Sequence, residues 1–144
     1  MDRLPPFISP SEPRSANMRA IRSAGNKSTE ARLKALFREH GIHGWRLHPP
    51  DLLGRPDVLI RGARVVIFLD GCFWHGCPRC GHIPRTNAAY WKAKIGRNKA
   101  RDAVVTSTLR KEGFHVIRLW ECDLKSRPKV CIRRIQRTLQ KTAK

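Results

Sequence analysis

Apolar residues recur at helical spacing near the start of the chain. Leu33, Leu36 and Phe37 follow the i, i+3, i+4 pattern of a helix that packs one face on a core. This helix is predicted to begin at Ser28 or Thr29 and to end near residue 40, before a glycine. A shorter basic helix is predicted just before it, over residues 15–22.

Short apolar runs bounded by turn residues predict strands. Residues 58–60 and 65–69 are rich in Val, Ile and Leu and are joined by a basic, glycine-containing turn over 61–64. A third run, over 114–120, also has the composition of a strand. The first two are therefore expected to form a buried pair, and the third could lie beside the second.

Two further helices complete the pattern. One is predicted from about residue 87 to 113, with a possible break at Gly96, and the other begins at Pro128. The last helix is expected to turn three apolar residues inward: Ile132, Ile135 and Leu139. Helices flanking a small sheet indicate an α/β domain.

Composition narrows the class of protein. The 144 residues support one domain with its own core, predicted over 15–144 after a Pro-rich, poorly ordered segment over 1–14. No apolar run approaches the roughly 18 residues of a membrane helix, and no signal peptide is recognised, so a cytoplasmic protein is expected. A net charge of +19 favours a polyanionic partner, most simply nucleic acid. Charge alone would equally suit a ribosomal or nucleoid protein.

Two carboxylates are predicted to meet at one end of the first strand pair. Folding the pair about its turn places residue 57 opposite residue 68, so that Asp57 and Asp70 become diagonal neighbours. Such a pair on a basic protein could hold Mg²⁺ together with a substrate phosphate. His75 lies close enough in sequence to serve as general base. Alternatively, the two acids cap turns or pair with neighbouring arginines, namely Arg55, Arg61 and Arg64.

Cysteines are concentrated in a loop over residues 71–86. Cys72, Cys77 and Cys80 lie within nine residues, and Cys122 follows the third predicted strand. Four thiolates suit a closed structural Zn²⁺ site. His75 or His82 could replace one thiolate, and free thiols or a redox pair are the alternatives. The fifth cysteine, Cys131, is interpreted as a packing residue.

Aromatic residues occur among polar and basic ones. Phe73 and Trp74 lie in the glycine-flanked loop, and Trp91 lies in a basic stretch. These rings could stack on bases or wedge between base pairs. Alternatively they are core residues, since Trp91 and Ile95 form an i, i+4 pair.

Four ordered motifs resemble the Vsr family, the very short patch repair DNA mismatch endonucleases. They are Gly54-Arg-Pro-Asp57, Val66-Ile-Phe-Leu-Asp-Gly-Cys-Phe-Trp-His75, Tyr90-Trp-Lys-Ala-Lys-Ile-Gly-Arg-Asn98 and Leu119-Trp-Glu-Cys122. The resemblance also includes Asn17-Met-Arg-Ala-Ile21 and Glu30, and so runs from about residue 15 to 140.

The resemblance implies a restriction-endonuclease-like fold with a structural zinc loop. It also implies Mg²⁺-dependent nicking of one strand, 5′ of the mispaired thymine, at T:G mismatches left by deamination of 5-methylcytosine. The expected partner is double-stranded DNA, with other mismatch-repair proteins as further candidates. A monomer is expected, because nicking one strand needs no second subunit. The expected location is the bacterial cytoplasm, in association with the nucleoid.

Site residues follow from the resemblance by position. Asp57 would bind the metal with the Leu69 backbone carbonyl, His75 would be the base, and Glu30 would be a helix-borne acid. Asp70 departs from the best-known member, which has histidine there. It is kept as a candidate catalytic and metal-binding residue whose role is open.

The remaining matched residues concern zinc and DNA. The zinc ligands would be Cys72, Cys77, Cys80 and Cys122, with Cys77 replacing a histidine of the best-known member. The DNA-contacting residues would be Phe73, Trp74, Trp91, Met18, Arg19, Lys94, Arg97, Asn98, Lys99 and Arg101. Two other functions stay open: a restriction or structure-selective nuclease of the same fold, and a non-catalytic zinc-stabilised DNA-binding module.

Overall fold

The computed structural model of the chain describes residues 4–5 and 27–142. The predicted helix over 15–22, with Met18 and Arg19, and most of the Pro-rich start lie outside the described residues. Helix α1 includes residues 27–39, and the later helices are α2 (Ala88–Lys111), α3 (Glu121–Ser126) and α4 (Pro128–Thr142). The strands are β1 (Trp45–Leu47), β2 (Val58–Ile60), β3 (Val65–Asp70) and β4 (His115–Trp120). No helix within 27–142 is both long and apolar enough to cross a membrane.

The four strands form one mixed sheet in the order β1-β2-β3-β4. The first two pairings are antiparallel and the β3–β4 pairing is parallel. Val58 is the partner of Ile67, so the register extends to the predicted alignment of residue 57 with residue 68. One edge of the sheet therefore contains the end of β1, the start of β2 and the ends of β3 and β4. We call it the functional edge.

Each face of the sheet is covered by helices. On one face, α1 and α4 pack on alternate strand residues, with Phe37, Ile67 and Ile135 fully buried. On the other face, α2 contributes Val105 and Leu109 to a smaller core. Both central strands are apolar on both faces because each face is covered. This layering confirms the α/β fold class.

Most predicted elements are confirmed, with three differences. Gly96 does not break α2, because one exposed glycine within a 24-residue helix costs only about 1 kcal/mol relative to alanine. Strand β1 was not predicted, since three residues of alternating burial carry too little pattern. The short helix α3, directly after β4, was also missed. Cys131 is buried in the core, as predicted.

Candidate active site

Two acids and a histidine converge at the functional edge. Glu30 on α1, His48 after β1 and Asp57 before β2 each place a potential ligand atom within 4.8 Å of the other two. The Glu30 Oε1 atom lies 2.8 Å from the His48 Nε2 atom. The backbone N–H of His48 donates to the carbonyl of Asp57 over 2.9 Å, which extends the β1–β2 pairing. We call these three residues the acidic cluster.

Asp57 is held in place by the end of the neighbouring strand. The backbone N–H of Leu69 donates to its Oδ2 atom over 2.7 Å. Burial raises the pKa of Asp57, and the negative charges of Glu30 and Asp70 add to the rise. The Leu69 N–H and His48 lower the pKa of Asp57, but the net shift is upward. A cation bound here would relieve the repulsion between Asp57 and Glu30.

The donor set of this cluster is compatible with Mg²⁺. Two carboxylates supply the hard oxygen atoms that Mg²⁺ prefers, with substrate oxygens and water filling the other positions. His48 is the less typical member, because imidazole suits transition metals better. The residues present therefore fit a divalent cation held by Glu30 and Asp57.

His75 forms a hydrogen-bonded pair with an acid from another element. Its Nδ1 atom lies 2.6 Å from the Oδ2 atom of Asp102, which α2 brings to the functional edge. Because an ionised carboxylate only accepts hydrogen bonds, the Nδ1–H of His75 is the donor. The Nε2 atom is then the site where the neutral ring can accept a proton.

Asp70 is paired with an arginine of the next strand. Its carboxylate accepts from Arg118 Nη1 over 3.0 and 3.3 Å, and the side chain of Asp70 is buried. The structure thus groups Asp57 with Glu30 and His48, where the sequence predicted an ion shared with Asp70. The β2–β3 register does not by itself show which group pairs with Asp70, because Arg118 lies in β4, 48 residues away in the sequence.

Four cysteines converge beside this edge. The loop after β3 and the start of α3 place Cys72, Cys77, Cys80 and Cys122 with their sulfur atoms within 4.8 Å of one another. Burial opposes ionisation of Cys77, yet backbone N–H donors from Cys80 and Arg79 and neighbouring thiols lower its pKa to about 6. A tetrahedral thiolate set of this kind fits Zn²⁺. The structure thus brings together the four cysteines that the sequence grouped.

An ion pair fastens the cysteine loop to α3. Asp123 accepts from Arg79 over 2.7 Å and from Arg127 over 2.6 Å. The cysteine loop thus contacts α3 at two points, the Cys77 and Cys122 sulfur atoms 3.8 Å apart and the Asp123 carboxylate.

Three aromatic rings form a cluster next to the cysteines. The ring of Phe73 lies 4.9 Å from Trp74 and 5.3 Å from Trp91, with edge-to-face geometry. Trp74 and Trp91 are 5.7 Å apart, and Tyr90 extends the cluster. All four residues are half-buried and belong to neither apolar core cluster. This placement differs from the alternative prediction of core packing.

Basic residues of α2 surround the approach to His75. A cavity of about 350 Å³ is lined by Lys94, Asn98 and Arg101 together with Trp74, His75 and Asp102. Asn98 donates to the Trp74 carbonyl over 2.9 Å and so links α2 to the loop. Arg97, Lys99 and Arg101 are exposed on α2.

Three residues of the site were missed by sequence reasoning. Asp102 is the single acid among the 24 residues of α2, and Arg118 is the charged residue within the apolar run of β4, so both stand out in their elements. His48 gave no comparable signal, because its proximity to Asp57 depends on the β1–β2 pairing.

The fold and the site together define a class. An α/β domain of high positive charge that places acids and a carboxylate-bound histidine beside half-buried aromatic rings and basic side chains is suited to hydrolysing nucleic acid.

Comparison with known proteins identifies the family. The sequence profile of the family "DNA mismatch endonuclease Vsr" matches residues 8–80. The chain is 40% identical over 119 residues to the DNA mismatch endonuclease Vsr of Escherichia coli K12, covering 81% of this chain and 74% of that protein. It is 39% identical over 125 residues to the type II nicking enzyme V.XorIIP of Xanthomonas oryzae pv. oryzae, covering 85% and 86%. It is 40% identical over 115 residues to the type II nicking enzyme V.NaeI of Lentzea aerocolonigenes, covering 75% and 67%.

The chain therefore belongs to the Vsr family of DNA mismatch endonucleases, as its motifs indicated. It is an enzyme, a hydrolase that nicks DNA.

Proposed function

We propose that this protein nicks one strand of duplex DNA 5′ of the mispaired thymine at T:G mismatches, with Mg²⁺ as its catalytic ion. The observation that carries the proposal is the acidic cluster beside the His75–Asp102 pair. A phosphodiester bound at this edge would meet both a cation site and a base, which are the two requirements of metal-assisted hydrolysis.

Glu30 and Asp57 would hold the ion, and the Leu69 carbonyl is the proposed backbone oxygen ligand. When bound, Mg²⁺ supplies charge that polarises the phosphodiester and stabilises the transition state. Asp70 is left out of the ligand set that we propose, because its carboxylate is bound by Arg118.

His75 would act as general base toward the attacking water. Asp102 fixes the ring and its tautomer through the 2.6 Å contact, so the Nε2 atom accepts the proton from water. The imidazolium that forms is stabilised by the same carboxylate.

The aromatic cluster would open the duplex beside the mismatch. Edge-to-face packing fixes Phe73, Trp74 and Trp91 as one half-buried unit beside the basic helix. Inserting apolar rings between base steps costs a few kcal/mol of unstacking, and this cost is lowest where pairing is already weak. A mismatched pair would therefore be opened more readily than a Watson–Crick pair.

Zinc and the basic helix would have supporting roles. Zn²⁺ held by the four cysteines would fix the loop that carries Phe73, Trp74 and His75. Lys94, Arg97, Lys99 and Arg101 would contact phosphates and set the position of the duplex.

A nicking assay on end-labelled duplexes tests the proposal. The duplexes differ only at one T:G or T:A pair and are incubated with Mg²⁺ or with EDTA. We expect nicking of the thymine strand alone, at T:G alone and with Mg²⁺ alone. Cleavage of matched duplex or of both strands would instead identify a restriction or structure-selective nuclease. Binding without cleavage on any duplex would identify a non-catalytic module.

Variants connect the activity to the acidic cluster. Asp57→Asn keeps the shape of the side chain but removes its charge, so we expect cleavage to fall by about 1,000-fold or more. The matched control is Asp51→Asn, which changes an exposed acid six residues earlier. Equal rates for both variants would contradict the assignment of Asp57.

A further inference from the structure

Arg118 connects the elements that carry the groups around His75. It lies in β4 opposite Phe68 of β3, and its guanidinium stacks 4.1 Å above the Phe68 ring. The side chain is only 20% exposed. Packing on the ring therefore fixes the plane in which the guanidinium N–H groups point.

The donors of Arg118 reach two other elements. Nη1 donates to both oxygens of Asp70 at the end of β3, over 3.0 and 3.3 Å. Nη2 donates to the backbone carbonyl of Asp102 over 3.2 Å, and Nε donates to the Thr106 hydroxyl over 2.8 Å. The forked guanidinium thus joins β3 to the turn of α2 that carries Asp102, which an ammonium group could not do in the same geometry.

Two carboxylates lie near the Nδ1 atom of His75, and only one of them is within hydrogen-bond distance. The Nδ1 atom lies 2.6 Å from Asp102 Oδ2 and 3.8 Å from Asp70 Oδ1. Asp70 is only 5% exposed, so water does not satisfy its charge and it needs a partner within the protein. Arg118 supplies that partner, and the Nδ1–H of His75 is left to Asp102.

We propose that Arg118 is a positioning residue that directs the His75 Nδ1–H to Asp102 by engaging Asp70 and by holding the Asp102 backbone. Its importance for cleavage rests on the proposed function, in which His75 is the base. Loss of Arg118 leaves Asp70 without its partner and able to attract the His75 Nδ1–H, and it removes the contact between β4 and the Asp102 carbonyl, so the imidazole no longer has one defined orientation.

NMR spectroscopy of the zinc-loaded protein tests the positioning without requiring activity. In the wild type we expect a strongly deshielded, slowly exchanging Nδ1–H resonance of His75, typical of a short bond to a carboxylate. Arg118→Met is expected to shift or broaden this resonance, and the double variant Arg118→Met/Asp70→Asn is expected to restore it in part. Arg110→Met, an exposed arginine of α2, is the matched control and should leave it unchanged.

Single-turnover cleavage at saturating protein connects positioning to chemistry. We expect Arg118→Met to slow cleavage of a T:G duplex by about 10- to 100-fold, within the range of general-base contributions. DNA affinity should change no more than in Arg110→Met. The double variant should recover part of the rate, because the Asp70 charge is gone while the contact to the Asp102 carbonyl stays lost.

The remaining outcomes each contradict either the positioning role of Arg118 or the proposed function. An unchanged resonance and rate in Arg118→Met would overturn the positioning role, as would a double variant that is no better than Arg118→Met on both measures. If Arg118→Met does not fold, the same comparison is made between Arg118→Lys and Arg118→Lys/Asp70→Asn. Both of these variants keep the positive charge at position 118. A wild type that shows the resonance but does not cut T:G duplex would overturn the proposed function alone.

Discussion

Asp70 is a buried acid whose ionised form is not fully compensated. Burial raises the pKa of Asp70, and although His75 and Arg118 lower it, the net shift is upward from 3.8. A carboxyl group whose pKa is higher in the folded chain than in the unfolded chain contributes to the stability of the fold. The contribution is fully present when the pH is below the unfolded pKa and the group is protonated. This contribution is lost as the pH rises through the folded pKa.

Replacing Asp70 by asparagine removes this titration. We expect the urea midpoint of Asp70→Asn, taken relative to the wild type, to be higher at about pH 7 than at about pH 3.5. Asp51→Asn is the control, because it removes one negative charge at an exposed position. A larger relative midpoint at the acidic pH would mean that the ion pair with Arg118 makes the charged form net stabilising.

At the scale of elements, the conformation of the cysteine loop is expected to depend on zinc bound by its cysteines. We expect one zinc per chain by elemental analysis, and loss of that zinc in Cys77→Ser because three thiolates with a hydroxyl bind it more weakly. Thermal unfolding of the zinc-free protein should occur at a lower temperature, since metal binding contributes to folding free energy. Cys131→Ala removes a cysteine outside the cluster and should retain the zinc.

The aromatic cluster is expected to act on the mismatch and not on general affinity. Stacking contributes about 1–3 kcal/mol per base, so Trp91→Ala should weaken binding to T:G duplex by about 5- to 150-fold. Fluorescence of 2-aminopurine placed beside the mismatch should rise on binding of wild type and not of the variant. Trp45→Phe is the control, because Trp45 packs on Phe37 in α1. Equal fluorescence changes for Trp91→Ala and wild type would contradict a wedge.

At the scale of the whole molecule, the charge of +19 is expected to strengthen association with DNA. If six to ten phosphates are contacted, affinity should fall by about 10³- to 10⁵-fold between 50 and 200 mM salt. Arg97→Gln with Arg101→Gln should reduce the salt slope by about two and weaken matched and mismatched duplex alike. Arg38→Gln on α1, at the opposite face of the sheet from α2, should have a smaller effect. Equal slopes for these variants would place the duplex elsewhere.

Much of the fold was predictable because its signals are local. The apolar spacing of α1 and α4 and the runs of β2 and β3 each lie within about fifteen residues, and hydrophobic burial acts on that pattern directly. The register of β2 on β3 followed from the length of the turn between them. Strand β1 was missed because three residues contain too little of any pattern.

The site was predictable in its residue types and less so in its partnerships. The four cysteines, Asp57, His75 and the aromatic residues were all recognisable from motifs. Asp102 and Arg118 were not assigned, although Asp102 is the single acid of α2 and Arg118 interrupts the apolar run of β4. Their partners lie 27 and 48 residues away, so no local pattern reveals the pairing.

The amino-acid sequence by itself determined most of the elements, the excess of positive charge and the chemical groups available at the functional edge. Only the tertiary structure decided which groups lie together: Asp57 with Glu30 and His48, His75 with Asp102, and Asp70 with Arg118. The physical reason is that charged side chains pair by proximity and burial. Both depend on how helices pack against the sheet, and not on distance along the chain.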